Sequence, residues 1–428
     1  MTPVVPKEYI IVERIIADDH PFLSFSKAFE FSTNAQKAAN ISSNIVALLN
    51  AGCFFGALAP ALGSKYVGRR LLMTIAASFM IVGGILQTAA QPPHLSMIYG
   101  GRVISGFGVG MVSNLTPVYV AETAPKELRG FLMSLFEMFL VSGGLLAYWT
   151  TYGSSLHLEP TGKQWRLPLS IQIILAAIVL AGSFFICESP RWLAKQDRWD
   201  EARQNLCYLR GSDFEDLEIK SELAEMHAQI EEEIQATAGR SFKELFQYRN
   251  FIRLMWGCGV SFFSIWCGQN ALLYYGPVVF KQIGFVGQNA ALFASGMFTV
   301  IKVVVTVTFL VAGVQNFKRK NLLSIGSFFM GAMMFALGAI LKTHPPVAGH
   351  TTNDTPSGRA MIYGTMNAVA FIFTLFLPET KGLSLEEMDL LFKVVDESVR
   401  KHDIEEHIGA PLSNEKTPVV SSSASKEA

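Results

Sequence analysis

Charge is what this chain is most short of. Only 16% of its 428 residues are Asp, Glu, Lys or Arg, where a soluble domain carries about a quarter. Its 35 basic residues balance 35 acidic ones, so bulk charge leaves no footprint for nucleic acid or an acidic surface. Cysteine is also scarce. The five cysteines, at 53, 187, 207, 258 and 267, show neither metal spacing nor a secretory disulfide framework, and most lie in apolar stretches as small hydrophobes. No metal and no cofactor is expected. The segment Met1 to Ser43 mixes both charges and lacks a long apolar run, so no cleavable leader is expected.

Apolar residues, by contrast, make up half of the chain, and the mean hydropathy is +0.32. They come in continuous blocks of about 18 to 25 residues, the length that crosses a bilayer as a helix. Nine blocks qualify as spans: Ile45–Leu62, Leu71–Ala90, Met97–Ala121, Phe131–Tyr152, Leu167–Cys187, Ile252–Tyr275, Ala290–Val314, Leu322–Leu341 and Ala360–Leu377. They lack the alternation of a barrel strand, so the fold class expected is all-α and polytopic. The lipid bilayer is then the chain's first partner.

The short connections that hold Lys65, Arg69 and Arg70, then Lys126 and Arg129, then Lys318, Arg319 and Lys320 are basic, which places them in the cytoplasm. Gln91–Ser96 and the segment after Leu341, with its Asn353-Asp354-Thr355 sequon, fall outside. Nine spans put the N-terminus outside and the C-terminus inside. The organisation expected is a non-membrane segment over 1–43, five spans within 44–193, a charged linker with helical spacing over 194–250, four spans within 251–393, and a polar disordered tail over 394–428.

The string "GRVISGFGVGMVSNLTPVYVAETAPKELRG" (Gly101–Gly130) carries Gly106, Gly108 and Gly110 at even spacing, which lets a neighbouring helix approach closely. Pro117 is expected to bend or end that helix. The whole string resembles the signature of the sugar porters of the major facilitator superfamily at their fourth and fifth helices. "GALAPALGSKYVGRR" (Gly56–Arg70) resembles the loop after the second helix, "ESPRWL" (Glu188–Leu193) the end of the sixth, "NALLYYGP" (Asn270–Pro277) the seventh, and "PETKGLSLEEMD" (Pro378–Asp389) the end of the twelfth. "FKRK" (Phe317–Lys320) is a degraded second copy of the "GRR" loop, as an internal repeat implies. "YWTTYGSSLHLEPTGKQWRLPLSIQ" and "ARQNLCYLRG" point within the branch to the fungal quinate permeases.

The resemblance implies a major facilitator fold that is incomplete here, with about nine transmembrane helices. The first, most of the tenth, and the eleventh helices of the family have no counterpart, and "AMIY" (Ala360–Tyr363) runs almost directly into the twelfth. Lys65 stands where the family usually has an acid, Ser264 and Ile265 where it has a glutamine pair, and Lys318 where it has a glycine. The central site of such a fold lies between two rocking halves. A chain without those helices is therefore expected not to transport unless a partner or second copy supplies the surfaces.

What the resemblance implies about function is transmembrane transport: proton-coupled uptake of quinate or a related polyhydroxy acid by a multi-pass protein of the plasma membrane, and not an enzyme. No span holds a paired-acid, His-rich or Ser/Lys constellation. A hexose or polyol transporter, a non-transporting nutrient sensor and an inactive truncated product are the alternatives. The partners expected are the small solute and a proton. Charges inside spans are candidate functional residues. Arg102 matches the arginine that faces a proton-coupling acid on the first helix; a snorkelling arginine is the plainer reading. Glu137 stands where a solute-binding glutamine is usual, and Lys302 lies near the middle of the span matching the eighth helix. The two are expected within reach of each other, either as a structural pair or as contacts to an acidic polyol. Asn270, Tyr274 and Tyr275 match solute-facing positions of the seventh helix, where aromatic faces and polar tips suit a sugar ring. Gln172 is a weaker candidate. Glu122, Arg129, Glu188, Arg191, Arg319 and Glu379 resemble the cytoplasmic charge network that holds the halves together, and Gly56, Gly68, Arg69 and Arg70 belong to the loop motif.

Overall fold

Long apolar blocks can satisfy their backbone groups in lipid only by coiling, and every long block with described residues forms a helix in the computed structural model. The structure describes residues 25, 28–29, 35–237, 248–268, 290–312, 317–343 and 356–378. Among these, twelve helices follow in order: α1 (Ala35–Gly63), α2 (Arg69–Thr88), α3 (Ser96–Thr123), α4 (Lys126–His157), α5 (Gly162–Ser183), α6 (Pro190–Lys195), α7 (Trp199–Arg210), α8 (Leu217–Thr237), α9 (Tyr248–Trp266), α10 (Ala290–Val311), α11 (Arg319–Thr343) and α12 (Pro356–Phe376). Six of them contain stretches long and apolar enough to cross a membrane, namely Ser43–Gly63, Arg69–Thr88, Ser96–Thr123, Leu128–His157, Gly162–Ser183 and Arg319–Ile340. Leu254–Trp266, Gly296–Val311 and Ala360–Phe376 are shorter apolar helices. Large apolar side chains such as Phe55, Ile178, Phe329 and Ile372 are exposed on these helices, the surface that lipid would cover.

The chain divides into two compact units. One holds Met1–Ser189 with Phe251–Leu383, the other Pro190–Asn250 with Ser384–Ala428. In the first, α3 is clasped between α1 and α2. Gly106 and Gly110, one turn apart, face α1: a Cβ on Gly110 would run into the Cys53 carbonyl, and one on Gly106 into that of Leu49. Gly108, pointing the other way, lets α2 approach, where a Cβ would lie 2.5 Å from the Ala76 carbonyl oxygen. The three evenly spaced glycines thus serve two neighbours. Asn114 Nδ2 donates to the Ala57 carbonyl at 3.0 Å and ties α3 to α1. Pro117 does not end α3, which runs on to Thr123.

At the end opposite the basic loops, Phe25 and Phe29 are buried with Trp165, Ile45 and Ile98. Both rings meet Trp165 edge-on, at 5.4 and 5.7 Å between centroids. Part of the N-terminal segment therefore packs against the first five helices.

The remaining helices of this unit are α9 to α12. α11 and α12 pack along their length, with Ser324 and Thr374 hydroxyls 2.9 Å apart and buried. α10 packs on α4, where Trp149 and Tyr152 form a ring cluster with Phe293 at 6.2 and 6.3 Å. α9 departs from expectation. It stops at Trp266, because Gly268 takes a φ of +88°, a left-handed conformation that ends a helix. The part of the expected span from Gln269 to Tyr275 lies outside the described residues.

The second unit is polar and helical. α7 carries Asp200 and Glu201 in its first turn and Arg210 in its last, which suits the helix dipole. Gly211, at φ +66°, closes it by donating to the Cys207 carbonyl at 2.8 Å. Leu206, Cys207, Ile219 and Met226 form a small core between α7 and α8.

Candidate functional site

Three neighbouring helix ends converge on one ionic cluster at the basic end of the first unit. α2 begins at Arg69 after Gly68, whose side-chain-free N-cap position offers no cap of its own. The unpaired N–H groups of a first turn need an acceptor. Glu188, just beyond α5, supplies it: its carboxylate accepts the Arg69 N–H at 2.7 Å and the Arg70 N–H at 3.3 Å, along with the Ser189 N–H at 3.0 Å. A Cβ on Gly68 would collide with this carboxylate, which explains glycine there.

The Arg69 guanidinium makes a two-pronged pair with Glu122 at the end of α3, at 3.0 and 2.9 Å, and the two side chains are only 11% and 9% exposed. Such fork geometry is the strong form of an ion pair. Ser189 Oγ donates to Glu122 Oε2 at 2.7 Å. Arg70 donates to the Ser183 and Phe184 carbonyls at 3.2 and 2.8 Å and closes the end of α5. Tyr119 Oη donates to the Cys187 carbonyl at 2.8 Å. Glu122, Glu188, Arg69 and Arg70, read from three separate motifs, are thus brought together; Ser189 and Tyr119 were not singled out.

The other members of the expected network are placed differently. Arg319, at the start of α11, approaches the start of α4, with its Nη2 4.0 Å from where a Gly130 Cβ would sit. Arg129 and Arg319 each engage neighbours. Arg191 belongs to the second unit, and Glu379 lies outside the described residues.

A second candidate feature is the α4–α10 seam. Gly296 faces Tyr148 and Trp149, with a Cβ placed 3.2 and 3.5 Å from their rings, and the helices run antiparallel. Glu137 is eleven residues back from Tyr148, about 16 Å and three turns, hence on nearly the same stripe. Lys302 is six residues on from Gly296, about 9 Å along and a third of a turn round, on the flank of the seam. The axial offset between them is about 7 Å. Glu137 is exposed and Lys302 half-buried, and each engages a neighbour.

Arg102 is 1% exposed, near the start of α3. Beside it, Gln87 Nε2 donates to the Gly83 and Gly101 carbonyls and Ser105 Oγ at 3.1, 3.2 and 3.0 Å, locking α2 to α3. Gln172 is 4% exposed and lies in the α2–α5 seam, with its amide 3.7 Å from where a Gly84 Cβ would sit. Asn270, Tyr274 and Tyr275 lie outside the described residues. Asn367 on α12, a lone amide in an apolar run that sequence reading passed over, is 1% exposed and reaches the broken end of α9, where its Nδ2 donates to the Cys267 carbonyl at 3.1 Å.

This arrangement of glycine-clasped helices and an ionic cluster at their basic end matches a known family over most of its length: the family model described as "Sugar (and other) transporter" covers residues 15–353. The chain belongs to this sugar transporter family. Among its curated relatives, the "Probable quinate permease" of Aspergillus clavatus is 35% identical over 360 residues, covering 82% of this chain and 66% of its own length. The "Quinate permease" of Neurospora africana is 34% identical over 360 residues, 83% of this chain and 66% of its own length. The chain therefore spans just under two thirds of the relatives it matches. Of solved structures, the proton:xylose symporter XylE bound to 6-bromo-6-deoxy-D-glucose superposes with a TM-score of 0.77 at 23% identity, covering 91% of this chain and 98% of that one. The partially occluded inward open form of XylE from E. coli gives 0.62 at 23% identity, covering 90% and 98%. The fold is that of the major facilitator superfamily, and the protein is a multi-pass membrane protein. The curated relatives named here are permeases, not enzymes.

Proposed function

We propose that this sugar transporter family member serves proton-coupled uptake of quinate or a related polyhydroxy acid across the plasma membrane. The observation that carries the reading is the presence of two charges, Glu137 and Lys302, on the packed apolar helices α4 and α10, offset by about 7 Å along the helix axes. A charge held in a span is costly, about 2.5–3.5 kcal/mol on insertion scales, and one use that justifies it is solute recognition. Lys302 would meet the carboxylate of an acidic polyol, and Glu137 a hydroxyl or a proton. The names of the quinate permease relatives support the same solute class. Asn270, Tyr274 and Tyr275 would stack and hydrogen-bond the ring, and Arg102 would take part in proton coupling. The cluster of Glu122 and Glu188 with Arg69 and Arg70 would serve, with Arg129, Arg191, Arg319 and Glu379, as the cytoplasmic charge network that steadies one state of the cycle.

The test is uptake of radiolabelled quinate and glucose by cells lacking other porters, with and without a pH gradient. It compares the chain as it stands with a version carrying the three family helices from a quinate permease. Quinate uptake that collapses with the gradient in the restored version supports the reading. Glucose taken up in preference to quinate replaces the solute class with hexoses. Solute binding with no uptake in either version points to a sensor.

A further inference from the structure

The end of α9 poses a physical problem that one side chain solves. A helix that stops inside an apolar region leaves its last carbonyls without donors, and lipid cannot supply them. Cys267 Sγ donates to the Ser264 carbonyl at 3.0 Å. The Cys267 carbonyl itself, at the turn where Gly268 goes left-handed, receives Asn367 Nδ2 from α12 at 3.1 Å, across 100 residues of sequence. The same nitrogen donates to the Tyr363 carbonyl one turn back in α12 at 2.8 Å, so the amide is held in one orientation. Gly268 is pressed against the same helix, where a Cβ would lie 3.0 Å from Tyr363 Cγ and 3.2 Å from the Met334 methyl. Gly331 on α11 makes room, its Cβ position 3.3 Å from that of Asn367. Asn367 Oδ1 is buried and accepts nothing among the described residues. Packing alone would be served better by an apolar side chain of the same size.

We propose that Asn367 is a positioning residue: it fastens the end of α9 to α12 at Cys267, shortly before Asn270, Tyr274 and Tyr275 in sequence, the residues proposed to meet the solute. The part concerning solute rests on the proposed function; the fastening does not. Thr374 offers a matched control. It is also buried on α12 and hydrogen-bonded, but to Ser324 of α11 and not to α9.

The full chain is prepared with Cys267 as its only cysteine, the other four replaced by alanine. Cys267 is 8% exposed, so its reaction with a membrane-permeant maleimide reports opening of the α9 end. Asn367→Leu is expected to speed this labelling at least tenfold and to weaken equilibrium binding of radiolabelled quinate at least tenfold. Asn367→Gln, which keeps the amide donor, restores part of both. Thr374→Val lowers thermal stability and moves neither. If Asn367→Leu does not give folded protein by size-exclusion chromatography, Asn367→Asp, which removes the donor at constant shape, takes its place. Labelling unchanged, or raised equally by Thr374→Val, overturns the fastening. Faster labelling with quinate affinity intact overturns the positioning role. If the parent chain binds no quinate, the binding comparison is made in the version carrying the three family helices; no binding there refutes the proposed solute, and the labelling comparison then decides the fastening alone.

Discussion

Gly68→Ala should lose most of its cost when Glu188 is removed. Gly68 has φ −62° and ψ 158°, extended backbone that alanine adopts without strain. Replacing glycine there gains about 0.4–1 kcal/mol through the unfolded chain, which offsets the preference of an N-cap for glycine over alanine. The new methyl would collide with the Glu188 carboxylate, however. That group is the far end of a flexible side chain, so it swings away and the methyl is accommodated. What is lost is the cap on α2, worth about 1 kcal/mol and up to about 2, plus about 0.3–1 kcal/mol of charge–dipole attraction. The net expectation is destabilisation by about 1–2 kcal/mol. In a Glu188→Ala background there is no cap left to displace, and the same change should be near neutral. Equilibrium unfolding in mixed micelles, followed by tryptophan fluorescence through the four-variant cycle, measures the coupling. Additive effects of the two substitutions would refute the assignment of Glu188 as the cap.

Glu122→Ala should cost about 3–5 kcal/mol in the same assay, since it strands a nearly buried Arg69 guanidinium; Glu122→Gln should cost less. Gly110→Leu should abolish monodisperse protein on size-exclusion chromatography, because its Cβ already meets the Cys53 carbonyl, whereas Gly182→Leu, with open space around that position, should be neutral. The double exchange Glu137→Lys with Lys302→Glu should recover folded yield lost by either single change, if each charge is the other's partner; single changes without loss would contradict the pairing.

Much of the helical layout was legible because lipid imposes length and continuity on the sequence. The ends of α2, α3 and α5 follow the apolar blocks within a few residues. The end of α9 was hidden, since Gln269 and Asn270 interrupt the apolar sequence only briefly before Ala271, and only a positive φ at Gly268 stops the helix. The even spacing of Gly106, Gly108 and Gly110 signalled close approach but not that it divides between α1 and α2, which depends on a 100° step per residue. The acids Glu122 and Glu188 stood out because positive-inside bias does not explain them. Their partner Arg69 lies 53 and 119 residues away, and no local pattern encodes that pairing. Gln172 drew notice as a polar residue in a span, yet it sits in the α2–α5 seam. Asn367, equally polar and equally isolated, drew none because it belongs to no motif. Phe25 and Phe29 were unremarkable in a segment that mixes both charges, and only folding brings them to Trp165.

The most direct test of the proposed seam is the ratio of quinate to glucose affinity in Lys302→Met, set against the unmodified protein in the helix-restored form. Losing a charge-assisted hydrogen bond to a carboxylate, worth about 1.5–3 kcal/mol, weakens quinate by about 10- to 100-fold. A neutral hexose lacks that carboxylate, and its affinity should change by less than about twofold on the same reasoning. Equal losses for both solutes would make Lys302 a structural partner of Glu137 and contradict its role in recognising an acid.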